Sequence, residues 1–127
     1  MLHCGLTERE APGNLLSIAH YLPAMPSPDY RSAFRPGLFA GRVVLVTGGG
    51  SGIGRCTAHE LAALGASVAL AGRNAERLEA VAAELPGKGT QATHHPLDIR
   101  DEEAVQRVVG EVLLAHGRLD AVVNNAG

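Results

Sequence analysis

Aromatic residues are scarce: two Phe, two Tyr and no Trp in 127 residues. A core made from this chain must therefore be aliphatic, built from Val, Leu, Ile and Ala. There is one lysine, Lys88, followed by Gly89, and this excludes the Gly-Lys-Ser/Thr signature of a Walker loop. The two cysteines, Cys4 and Cys56, lie far apart, with no Cys-x-x-Cys pair and no histidines at zinc-finger spacing. That excludes a disulfide scaffold and a structural zinc site, and it favours a reducing, cytoplasmic setting. No apolar run approaches the roughly 20 residues of a membrane-spanning helix. The first residues also lack the basic and apolar regions of a signal peptide, with Glu8 and Glu10 following at once. Neither sign of charge dominates: 11 basic and 13 acidic groups give a net charge of −2. No electrostatic case exists for nucleic acid or for an anionic membrane as partner. The length fits one domain, or one large piece of a domain.

Five of the seven prolines (Pro12, Pro23, Pro26, Pro28 and Pro36) fall in residues 1–40, where no strand or helix period persists. This stretch reads as an extended, loosely packed arm, within which Met25 offers an alternative start to Met1. Residues 41–127 are regular. Val43–Val46 is a β-branched run suited to a strand buried on both faces. Ile53, Thr57, Leu61 and Leu64 follow at near-helical spacing and end at Gly65. Ser67–Ala71 reads as a second strand. Asn74 caps a helix whose Leu78, Val81, Ala82 and Leu85 share a face, and Pro86-Gly87 stops it. Residues 91–95 form a weaker third strand. Asp101 caps a third helix striped by Val105, Val108, Val109 and Val112 and ended by Gly117. Leu119–Val123 is a fourth strand. A β-α-β-α-β-α-β order with connections too long for hairpins predicts right-handed crossovers and a doubly wound parallel α/β sheet.

The strongest chemical signal is Thr47-Gly48-Gly49-Gly50-Ser51-Gly52-Ile53-Gly54, placed between the first strand and the first helix. Glycines there let the chain turn off the strand, let backbone approach a diphosphate, and let helix and strand pack closely. The helix N-terminus adds free N–H groups and partial positive charge. The G-x-G-x-x-G register does not fit, since Ile53 and Arg55 stand where its last glycine would fall; T-G-x-x-x-G-x-G does.

With Leu97-Asp98-Ile99 after the third strand and Asn124-Asn125-Ala126-Gly127 after the fourth, residues 41–127 resemble the short-chain dehydrogenase/reductase family. The resemblance implies a Rossmann-like sheet of order 3-2-1-4-5-6-7, here truncated after the fourth strand, and hence a partial NAD(P)-binding domain. It also implies a homo-oligomeric parent. Thr47, Gly48, Ser51, Gly52, Ile53 and Gly54 would then bind a nicotinamide dinucleotide. Asp98 would bond near its adenine with Ile99 packed beside it. Asn124, Ala126 and Gly127 would line the nicotinamide-side ribose, while Asn125 braces the sheet. NAD-preferring members carry an acid at the end of the second strand, where this chain has Gly72 and then Arg73. A guanidinium there suits a 2′-phosphate, so NADP(H) is expected in preference to NAD(H).

The family's proton-transfer pair is a Tyr with a Lys four residues later. Tyr21 and Tyr30 lie in the arm and Lys88 follows neither at that spacing, so no catalytic residue is assigned. A metal at His94, His95 and Asp98 is disfavoured because adjacent strand residues point to opposite faces. His59 and His116 are expected on helix surfaces, and Cys56 as a small core group. The leading expectation is the cofactor-binding portion of an NADP(H)-dependent oxidoreductase. The alternative is a non-catalytic nucleotide-binding module or inactive truncated relic. A SAM-dependent methyltransferase shares the layout but wants an acid where Gly72-Arg73 stand.

Overall fold

The computed structural model describes residues 32–85 and 89–127. Met25, Tyr21, Tyr30 and most of the arm expected over residues 1–40 lie outside the described residues, as do residues 86–88. Seven elements alternate: β1 (Val43–Thr47), α1 (Gly52–Ala63), β2 (Ser67–Gly72), α2 (Ala75–Glu84), β3 (Ala92–Pro96), α3 (Glu102–His116) and β4 (Ala121–Val123). All strand pairs are parallel and the sheet order is β3-β2-β1-β4. The chain winds outward from β1 to β3, then crosses back to place β4 on the other side. This is the doubly wound, Rossmann-like α/β sheet that the sequence predicts.

The pleat of β1 explains why its whole length is apolar. Val44 and Val46, with Val68 and Leu70 of β2, face Ala58 and Ala62 of α1 and Leu78 and Val81 of α2. Val43 and Leu45, with Ala69 and Ala71, face Val108 and Val112 of α3. Each strand residue is buried because helices cover both sides. Helix ends form where the sequence places them. Asn74 Oδ1 accepts from Arg77 N at 3.0 Å, and Asp101 Oδ1 accepts from Ala104 N at 3.1 Å. Glu102 and Glu103 sit in the first turn of α3, and Gly117 ends it at φ 74°. In residues 32–42, Phe39 packs against the α1–α2 side of the core and donates its N–H to Leu64 O at 3.0 Å. Ser32 Oγ donates to the Glu60 carboxylate.

The structure corrects several local expectations. α1 does not pack through Ile53 and Thr57; it buries Gly54, Ala58 and Ala62, leaving Ile53 78% exposed. Small residues allow α1 to lie close to β1, and this rotation carries Cys56 to the exposed side rather than into the core. β3 begins one residue later than predicted, and β4 starts at Ala121 rather than Leu119. His59 and His116 are half-buried and partnered rather than free on the surface. His59 Nε2 lies 2.9 Å from Glu84 Oε2, and His116 Nε2 lies 2.8 Å from Thr93 Oγ1. His94 is exposed and His95 buried, on opposite faces of β3. Among the described residues no helix is long and apolar enough to cross a membrane.

Candidate functional site

Beyond the C-terminal ends of the strands lies a cleft of about 960 Å³. Gly48, Gly50, Ser51, Gly52 and Ile53 line it after β1, and Gly72, Arg73, Asn74, Arg77 and Leu78 after β2. Leu97, Asp98, Ile99 and Arg100 close it after β3, and Asn125, Ala126 and Gly127 after β4. Crossovers from β1 run to one side of the sheet and the return to β4 to the other, so the cleft sits where the winding reverses.

The loop after β1 is shaped by two close approaches. Gly48 has φ 67°, and its N–H donates to Ala71 O at 2.7 Å. A Cβ on Gly48 would lie 2.8 Å from Asn125 Nδ2, so the position excludes any larger residue on two grounds. A Cβ on Gly54 would overlap the Gly48 carbonyl and lie 2.7 Å from Asn125 Nδ2. The first turn of α1 is thus pressed against the strand ends. Ser51 occupies the N-cap with extended backbone, its side chain makes no capping bond, and the first turn contains no acid. The N–H groups of that turn therefore lack side-chain acceptors, and their dipole favours an anion. Above Gly52 there is open cleft, because a Cβ there would meet no protein atom within 4 Å.

Thr47 and Asn125 join the ends of β1 and β4 behind this loop. Thr47 Oγ1 donates to Val123 O at 3.2 Å and accepts from the N–H groups of Asn125 and Ala126, each at 3.0 Å. Asn125 Nδ2 donates to Thr47 O at 3.1 Å and to Gly48 O at 3.4 Å.

Three guanidiniums and one carboxylate belong to cleft-lining residues. Arg73 and Arg77 are exposed and form no ion pair among the described residues. Asp98 is engaged by Arg100, whose N and Nε donate to Oδ1 at 3.1 and 3.0 Å, and whose terminal nitrogen donates to Oδ2 at 2.6 Å. These bonds hold the Asp98 carboxyl far below the usual carboxylate range, with a smaller Coulombic contribution from Arg73. The cleft thus offers backbone donors, excess positive charge and an ionised acceptor, a set suited to an anionic ligand that also carries a hydrogen-bond donor.

Of the residues predicted from sequence, Gly48, Ser51, Gly52, Ile53, Arg73, Asp98, Ile99, Ala126 and Gly127 line this one cleft. Thr47, Gly54 and Asn124 do not; Thr47 and Gly54 stand behind it and fix its shape. Arg77 and Arg100 line the cleft and were not singled out by the sequence. Arg100 had a legible signal, a cation two residues after an acid, where a side chain can fold back on its neighbour.

A family model described as short chain dehydrogenase matches residues 42–127. Among curated relatives, 2,5-dichloro-2,5-cyclohexadiene-1,4-diol dehydrogenase of Sphingobium indicum is 48% identical over 87 residues, covering 68% of this chain and 34% of that protein. The chain spans about a third of the length of the curated relatives it matches. Among solved structures, the citronellol catabolism dehydrogenase AtuB of Pseudomonas aeruginosa PAO1 is 58% identical with a TM-score of 0.73, over 77% of this chain and 41% of that one. A metagenomic short-chain oxidoreductase in complex with NADP is 43% identical with a TM-score of 0.65, over 70% of this chain and 40% of that one. An NAD+-bound xylitol dehydrogenase is 42% identical with a TM-score of 0.68, over 71% of this chain and 35% of that one.

Proposed function

The chain belongs to the short-chain dehydrogenase family, and from that premise we propose that it is the cofactor-binding portion of an oxidoreductase that prefers NADP(H) to NAD(H). A bound nicotinamide supplies or takes up hydride at a carbonyl or alcohol carbon, or at an enoyl carbon, of the parent's substrate. In this reading the first-turn amides of α1 and the open backbone at Gly52 hold the diphosphate. Asp98 accepts from the adenine amino group, and Ile99, 46% exposed, offers it an apolar surface. Ala126 and Gly127 leave room for the nicotinamide-side ribose. Thr47 and Gly54 support the loop and strand ends from behind.

One observation carries the choice of cofactor. At the end of β2, Gly72 offers no carboxylate to the ribose hydroxyls, and Arg73 stands exposed at the cleft without an ion pair among the described residues. A doubly charged 2′-phosphate gains charge-assisted bonds from that guanidinium, whereas a 2′-hydroxyl gains little. The related structures include both an NADP complex and an NAD+ complex, so the preference rests on this chain's own residues. Calorimetric titration with NADPH and NADH tests it. The chain is expected to favour NADPH, and Arg73→Ala to reduce that preference about tenfold. An unchanged ratio of dissociation constants removes the phosphate role of Arg73; no heat with any pyridine nucleotide overturns the whole reading.

A further inference from the structure

Asp98 contributes the one carboxylate among the described residues that line the cleft, and its charge and that of Arg73 act on one another. A bare carboxylate there would oppose a ribose-linked phosphate at Arg73. Arg100 prevents this. Its N–H and Nε occupy Oδ1 at 3.1 and 3.0 Å and its terminal nitrogen occupies Oδ2 at 2.6 Å. Two acceptor positions on Oδ1 and one on Oδ2 are thereby filled, which leaves one on Oδ2 for an incoming amino group. The guanidinium also cancels most of the carboxylate's field beyond the pair.

We propose that Arg100 is a positioning residue that sets nucleotide specificity: by neutralising and fixing Asp98, it lets Arg73 act at full strength on a 2′-phosphate. The inference rests on the dinucleotide reading above and adds a residue that acts through Asp98 rather than through a bond to the phosphate. The Arg100 side chain is 78% exposed, so the effect is screened and modest. It falls on the nucleotide carrying the additional phosphate, because an unneutralised Asp98 repels a dianion far more than a hydroxyl.

The test is the ratio of dissociation constants for NADH and NADPH, measured by calorimetry on the full chain at low and high salt. Arg100→Ala is expected to weaken NADPH binding about fivefold while changing NADH little, and the difference shrinks at high salt. Arg100→Lys keeps the charge and is expected to hold the ratio near wild type. Asp98→Asn combined with Arg100→Ala removes the charge that needs cancelling and restores the ratio to within about twofold, even if both affinities fall. A ratio unmoved by Arg100→Ala, in a chain that prefers NADPH, overturns this inference and leaves the dinucleotide reading intact. Failure of Asp98→Asn to rescue the Arg100→Ala ratio overturns the route through Asp98. Absence of nucleotide binding to the wild-type chain overturns the parent reading instead, and this inference with it.

Discussion

Thr47 and Asn125 hold each other twice: Asn125 N donates to Thr47 Oγ1 at 3.0 Å, and Asn125 Nδ2 donates back to Thr47 O at 3.1 Å. The two residues are 78 positions apart in the chain. They fasten the C-terminal end of β1 to the turn after β4 and place the glycine loop between them. Thr47→Val keeps the shape of the side chain but leaves the N–H groups of Asn125 and Ala126 without their acceptor. Each partly buried donor left unmet costs about 1–3 kcal/mol, so for the two a total loss of about 2–6 kcal/mol is expected. Thr47→Ser keeps the oxygen and should lose less than about 1 kcal/mol. Urea unfolding at constant m-value measures both, and equal losses for the two variants would show that the hydroxyl does not fasten this junction.

Glycine substitution separates space from propensity. Gly54 and Gly110 both lie within helices, where alanine is intrinsically better by about 1 kcal/mol. At Gly110 a Cβ meets no atom within 4 Å, so Gly110→Ala is expected to stabilise by about 0.5–1 kcal/mol. At Gly54 the same methyl would overlap the Gly48 carbonyl and approach Asn125 Nδ2 to 2.7 Å. Overpacking against backbone outweighs propensity there, and Gly54→Ala is expected to destabilise by about 1–3 kcal/mol. It should also weaken nucleotide binding, since the shifted group is the loop itself. Opposite signs for the two variants in thermal unfolding are the outcome to look for; a stabilising Gly54→Ala would mean the loop yields freely.

Much of this was legible because the period of the chain's apolar residues states which faces are covered. The unbroken Val43–Val46 run gave a strand with helices on both sides, and Asn74, Asp101 and Gly117 marked helix ends through bonds made within a few residues. α1 was less legible. Its fully buried residues are Gly54, Ala58 and Ala62, which carry little hydrophobic signal; Leu61 packs beside them half-buried, while the larger Ile53 lines the cleft. A helix that approaches a sheet closely hides its contact face from any count of large apolar residues, and Cys56 was misplaced for the same reason. Within the site, the motifs gave the positions of backbone donors and of Arg73 and Asp98. They did not show that Thr47 and Gly54 act from behind the cleft, because the partner of each lies on a distant strand or loop.

Long-range polar pairing also escaped the sequence at β3 and α3. His95 Nδ1 lies 2.9 Å from Glu111 Oε2, His95 Nε2 lies 3.0 Å from Thr93 Oγ1, and Thr93 Oγ1 lies 2.8 Å from His116 Nε2. Bonds from His95 and Arg107 hold the Glu111 carboxyl below its usual range, so it accepts only. With both imidazoles neutral, His95 donates to Glu111, Thr93 donates to His95, and His116 donates to Thr93.

This arrangement has a pH sign. Burial, and then the charge of His95, lower the pKa of His116 from its ordinary 6.5. The end of α3 should favour a cation by about 0.3–1 kcal/mol at an exposed site, but here desolvation is the larger effect. Between pH 6.5 and the lower folded value the unfolded chain carries this proton while the folded one does not, so stability falls as pH drops across that window and levels off below it. Above pH 6.5 both states are neutral at this position and the effect vanishes. His116→Gln retains a donor toward Thr93 without a titrating group. Between about pH 7 and about pH 5, wild type is expected to lose stability relative to this variant, and the difference isolates His116 from the other histidines. Parallel unfolding curves for the two proteins across that range would show that His116 is as easily charged in the fold as in water.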